Sequence, residues 1–156
     1  MSLLEVDAIK HTSGKPLVNS TGSILQVVQE TLNLTSGTTS GTSSFATYIT
    51  KAITPSSTSS KILILATLNA YTQYSGWDGP QAHSKLLRGS THIAGNNFYY
   101  QRDNVNAAKY HSTDTVINYL DSPNTTSAVT YNLQAKYGSG SGITFYNGFL
   151  ILMEVA

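Results

Sequence analysis

At 156 residues with a formal net charge of +1, the chain has the size of one ordinary domain. Charged residues make up only 11%, against roughly 25% in soluble domains, whereas Ser and Thr supply about a quarter of the chain and Tyr occurs 10 times. This balance excludes a nucleic-acid binder, whose Lys and Arg would gather in a basic stripe, and the lack of cysteine excludes a disulfide framework or a thiolate metal site.

No apolar run approaches the roughly 18 residues that a membrane span needs. The opening Met1–Lys10 is acidic rather than basic and has no signal-peptide apolar region, so synthesis in a cytoplasm is expected. Without export, the sequons at Asn19, Asn33 and Asn124 read as polar loops rather than glycan acceptors.

Residues 1–22 sustain no period. Leu3, Leu4, Val6 and Ile9 form a short apolar patch, followed by the turn-rich His11–Pro16. This segment is expected to be an extended arm that orders when it docks onto another protein; the alternative is a disordered leader.

From Ser23 onward the pattern is strand after strand. Ile24–Leu34 is the first, then a Gly/Thr/Ser loop over Thr35–Ser43, then Phe45–Ile53. Thr54–Ser60 is a polar turn around Pro55, and it ends abruptly in Lys61–Tyr71. That strand is apolar on both faces, with Ile62, Ile64, Ala66 and Leu68 on one and Leu63 and Leu65 on the other. A loop with the only Trp follows over Tyr74–Pro80, then Gln81–Arg88, a turn at Gly89-Ser90, and Thr91–Ala94. Between Gly95 and Ser112 the Asn-rich sequence loses its period, as functional loops do. Asp114–Leu120, the turn Asp121–Thr126, the cleanly alternating Ala128–Tyr137, a Gly/Ser hairpin tip and a last strand entered through Gly148 complete the chain. Short, evenly spaced strands without a helix mean an antiparallel sandwich or barrel, with residues 23–156 as its domain.

The last segment is also apolar on both sides, with Phe149, Ile151, Met153 and Val155 on one and Leu150 and Leu152 on the other. A sandwich strand buries one face against its own core. Hiding one such side chain is worth about 1.5–3 kcal/mol, so two doubly apolar strands point to an intersubunit surface. A loop folded over the sheet, or a central position in a larger sheet, are the alternatives. Glu154 interrupts this strand and is expected to face solvent at its end, since alone in the interior it would be costly.

No enzyme signature is present. His11, His83, His92 and His111 match no metal-binding spacing, and the two that flank the Gly89 turn read as surface hydrogen-bonding groups. The eight acids form no local pair, and a glycosidase would need two carboxylates about 5–10 Å apart on facing strands. Neither a metal nor a cofactor is expected. Arg88 and Asp121 are candidates for a structural ion pair. The better prospect is ligand binding by loop aromatics and amides, which stack on sugar rings and reach their hydroxyls. The candidates are Tyr71, Tyr74, Trp77, Asp78, Tyr99, Tyr100, Arg102 and Asn104; the competing role for the Phe98–Tyr100 rings is to plug the end of the barrel.

Several tracts resemble a known family. TGSILQVVQ at Thr21–Gln29, ITPSSTSSKILIL at Ile53–Leu65, LLRGST at Leu86–Thr91, DSPNTTSAVTYNLQAK at Asp121–Lys136 and the closing LILMEVA are similar to small virion proteins of tailed phages, common in phages of cyanobacteria and other aquatic bacteria. The similarity covers nearly everything after Gly22. It implies a jelly-roll sandwich like those of tumour necrosis factor and the globular complement domains, assembled as a homotrimer. It also implies a place in the virion, as a tail-fibre or knob component held by residues 1–22. In such a trimer Leu63, Leu65, Leu150, Leu152 and Tyr131 are the expected seam residues, and the distal loops are expected to meet a host surface polysaccharide. The alternative is a purely structural fibre segment or a head or tail decoration that binds only other virion proteins.

Overall fold

The computed structural model describes residues 22–40, 44–74, 81–99, 109–139 and 143–156. The expected arm, with Leu3, Leu4, Val6 and Ile9, lies outside the described residues.

The described chain is all β, in eight strands: β1 (Ile24–Ser40), β2 (Ala46–Ile53), β3 (Lys61–Tyr74), β4 (Gln81–Arg88), β5 (Thr91–Tyr99), β6 (Lys109–Asp121), β7 (Val129–Ser139) and β8 (Ile143–Val155). They form two four-stranded antiparallel sheets, ordered β1-β8-β3-β6 and β2-β7-β4-β5. The architecture is a β-sandwich. Alternation along each strand sends Ile62, Ile64, Ala66, Leu68 and Ala70 of β3 inward, with Leu150 and Leu152 of β8, against Ile49 and Ile53 of β2, Leu86 of β4 and Tyr131, Leu133 and Ala135 of β7. Branched and aromatic residues at these positions fill the space between two pleated surfaces.

Three strands run further than their composition implies, among them β6, which starts at Lys109 inside the Asn-rich stretch read from sequence as loop. β5 continues through Asn96 and Asn97 to Tyr99, because its ladder to β4 holds out to the Gln81↔Tyr99 pair. β1 continues to Ser40 against the start of β8, past an irregularity between Asn33 and Thr38. All three lie at sheet edges, where the one partner strand supplies the hydrogen bonds. All three therefore cross stretches read from sequence as loop.

The two ends of the described chain close on each other. The Gly22 N–H donates to the Ala156 carbonyl at 2.9 Å, and the Ala156 N–H to the Ser23 carbonyl at 3.0 Å. Within β8, Gly148 sits where a β-carbon would lie 2.5 Å from the Thr67 carbonyl oxygen, beside the shift in register between Leu68 and Ala70. A glycine is required there by the closeness of the neighbouring backbone.

Candidate functional site

The doubly apolar strands β3 and β8 are neighbours at the centre of one sheet, in the register Leu63↔Met153 and Leu65↔Ile151. The pairs Leu63↔Leu120 and Val27↔Met153 extend the same row across β6 and β1. Along the outer face, Val27, Met153, Leu63 and Leu120 thus lie side by side, followed by Gln29, Ile151, Leu65 and Asn118, then by Thr31, Phe149, Thr67 and Val116. Among these Val27, Val116 and Leu120 are at least half exposed. Beyond them the face turns polar at Asn33, Asn147, Asn69 and Asp114, where the Asn69 amide donates to Asp114 Oδ1 at 2.9 Å and to Ser112 Oγ at 3.0 Å. The opposite sheet presents a different exterior: Thr130, Asn132, Gln134 and Lys136 of β7 face outward.

This register corrects three of the expected seam residues. Leu150, Leu152 and Tyr131 are fully buried in the core of a single chain and cannot line a contact between chains. The apolar outer residues of β8 are Phe149, Ile151, Met153 and Val155, with Leu63 and Leu65 beside them on β3.

Glu154 is also not where expected. It is fully buried at the rim of the core. Its Oε1 accepts hydrogen bonds from the Ser56 N–H at 2.7 Å and the Ser56 hydroxyl at 2.6 Å, and its Oε2 accepts one from the Gln26 amide at 2.6 Å. Burial pushes the carboxyl upward, but the hydrogen bonds from Ser56 and Gln26 outweigh it and lower the pKa from 4.5 to about 2. The polar Ser/Thr tract before β3 is therefore a cradle for the charge of the last strand. Gln26 and Ser56 carried no sequence signal for this role beyond being polar beside an apolar run.

The expected ion pair of Arg88 and Asp121 forms, with Nη1 at 2.9 and 3.0 Å from the two carboxylate oxygens. The Tyr131 hydroxyl donates to Asp121 Oδ2 at 2.7 Å. Burial pushes the Tyr131 hydroxyl pKa up, and its bond to the Asp121 carboxylate pushes it further. The cluster joins β4, β6 and β7, and so bridges the two sheets. His83 and His92 do not face one another across the hairpin; His83 Nδ1 lies 2.7 Å from Asn97 Oδ1 and His92 Nε2 lies 2.8 Å from the Ala94 carbonyl. Among the described residues no group of three potential metal ligands occurs.

Of the expected ligand-binding residues, Tyr71 is described with its side chain, which packs edge-on against Tyr146 with ring centroids 5.9 Å apart. Tyr74 and Tyr99 are placed as backbone, paired with Lys109 and Gln81 on different sheets. Trp77, Asp78, Tyr100, Arg102 and Asn104 lie outside the described residues.

No family model matches the chain. No curated protein matches it in sequence. Solved structures with a similar course of the chain include that of the infectious bursal disease virus Gx strain, at 9% identity and TM-score 0.47 over 83% of this chain and 34% of that one. The VP2 subviral particle of the same virus gives 13% identity and TM-score 0.44 over 94% and 37%. Dimeric latent PorU from Porphyromonas gingivalis gives 11% and 0.48 over 95% and 14%. The chain thus spans about a third of the viral chains and a smaller part of PorU.

Proposed function

We propose that this chain is a virion structural protein, the jelly-roll subunit of a homotrimeric tail-fibre or knob component, with its β1-β8-β3-β6 face turned toward the other subunits. The observation that carries the reading is the contrast between the two exteriors: Leu63, Leu65, Phe149, Ile151 and Met153 on one sheet, hydroxyls, amides and lysines on the other. Half-buried side chains of that kind each gain roughly 1 kcal/mol or more on full burial, which favours association of copies. The strand order β1-β8-β3-β6 facing β2-β7-β4-β5 supports the jelly-roll reading, since two interleaved Greek keys produce it. The resemblance of five tracts to tailed-phage virion proteins supports the location, with residues 1–22 as the attachment arm.

In this reading the segments around Trp77 and Tyr99–Asn104 contact a host surface glycan, and three copies acting together offset a modest affinity at each. Native mass spectrometry of the full chain is expected to give three times the chain mass; a single-chain mass at micromolar concentration overturns the trimer. Trp77→Ala combined with Tyr99→Ala is expected to abolish adsorption to host cells while leaving that mass unchanged. Undiminished adsorption favours the purely structural alternative.

A further inference from the structure

The exterior of the second sheet carries a basic pocket that the trimer leaves free. In β4, His83 and Lys85 point outward because Ala82, Ser84 and Leu86 point in; in β7 Lys136 does so because Ala135 points in. The register sets His83 between Lys136 on one side and Asn97 on the other. Lys85 Nζ and Lys136 Nζ both lie over the ring of Phe45, at 4.1 and 5.1 Å from its centroid. Together with His92 these groups line a cavity of about 530 Å³, within the usual range of ligand pockets. Among the described residues the lining holds no carboxylate, and none of them pairs with either ammonium group. Gly95 keeps the floor open: a β-carbon there would stand 2.8 Å from the Ser84 carbonyl oxygen and 3.1 Å from His92 Nε2.

Two ammonium groups drawn onto one aromatic ring repel each other and are best satisfied by a shared anion. The Asn97 amide nitrogen and the second ring nitrogens of His83 and His92, beyond the bonds His83–Asn97 and His92–Ala94, offer donors and acceptors suited to hydroxyls around that anion. We propose that this pocket binds an acidic saccharide, its carboxylate held between Lys85 and Lys136 and its ring hydroxyls by Asn97, His83 and His92. The choice of a saccharide as the carrier of the anion rests on the glycan-binding reading above; the pocket itself lies on a sheet face, apart from the residues that reading invokes.

The test is a nuclear magnetic resonance titration of the full-length chain with sodium glucuronate, glucose and sodium sulfate in turn. Glucuronate is expected to shift the amides of Lys85, Gly95, Asn97 and Lys136 at concentrations where glucose does nothing, with affinity falling as salt is added. Lys85→Gln combined with Lys136→Gln is expected to weaken it at least tenfold while the remaining spectrum is unchanged. Equal shifts from sulfate and glucuronate overturn the saccharide assignment, and shifts from none of the three overturn the site. Host adsorption that survives an absence of glucuronate binding removes this pocket alone; adsorption unaffected by Trp77→Ala and Tyr99→Ala removes the distal-loop reading alone.

Discussion

The backbone N–H of Ser56 donates to Glu154 Oε1 at 2.7 Å, tying the turn before β3 to the end of β8 across 98 residues of sequence. With the Ser56 hydroxyl and the Gln26 amide on the same carboxylate, β1, β8 and the turn are fastened at one point. Glu154→Ala leaves these donors without a partner and is expected to cost about 1–3 kcal/mol, read as a lower urea midpoint. The same geometry fixes a pH dependence. The folded carboxyl is held at about 2 against an ordinary 4.5, so its contribution is complete above pH 4.5 and is lost as pH falls toward 2. Thermal melts from neutral pH downward are expected to show a steeper loss over that window in the unsubstituted chain than in Glu154→Gln.

Gly148 tests the packing of β8 on β3. An alanine there places its methyl carbon 2.5 Å from the Thr67 carbonyl oxygen, and a backbone group of a central strand cannot step aside cheaply. Gly148→Ala is expected to destabilise by about 1–3 kcal/mol in chemical denaturation.

The same central pair shows how far the amino-acid sequence reaches. Two doubly apolar strands are legible, because Leu63 and Leu65 alternate with Ile62 and Ile64, and Leu150 and Leu152 with Ile151 and Met153. Which face of β8 turns inward is not, since alternation defines two faces and apolarity on both removes the tie-breaker. Only the register Ala66↔Leu150 and Ile64↔Leu152 settles it. Glu154 made matters worse, since a charge on the face of Leu150 and Leu152 argues for solvent until its partners are known, and those partners sit up to 128 residues away. The full lengths of the edge strands β5 and β1 are hidden for a different reason: Asn and Gly are poor strand formers, yet a partner strand suffices to hold them extended.

Asp121 is a second point where the sheets are joined. Its carboxylate is almost wholly buried and takes charge-assisted bonds from Arg88 and a hydroxyl bond from Tyr131. Tyr131→Phe removes one neutral donor while Arg88 continues to pair the charge, so a loss of about 0.5–1.5 kcal/mol is expected. Arg88→Ala strands the carboxylate and is expected to cost about 1.5–3 kcal/mol. A double-mutant cycle on denaturant midpoints is expected to show coupling between the two substitutions, and additive effects would argue against a shared network.

The outer face of β3 and β8 makes the most direct claim on assembly. Leu65 and Ile151 are paired in register and point away from the core, so a charge at either position adds nothing to the interior. Leu65→Asp is therefore expected to leave the circular dichroism spectrum of a β-sandwich intact. In an assembly sealed by this face, the same charge would be desolvated against leucine, isoleucine and methionine side chains. Association is expected to weaken by at least tenfold, about 1.4 kcal/mol, so that sedimentation velocity shows single chains where the unsubstituted protein shows the larger species. Asn132→Asp places a comparable charge on the polar exterior of the opposite sheet and is expected to leave sedimentation unchanged. If the two substitutions behave alike, either both dissociating the assembly or neither, the apolar rows Val27-Met153-Leu63-Leu120 and Gln29-Ile151-Leu65-Asn118 are not where subunits meet.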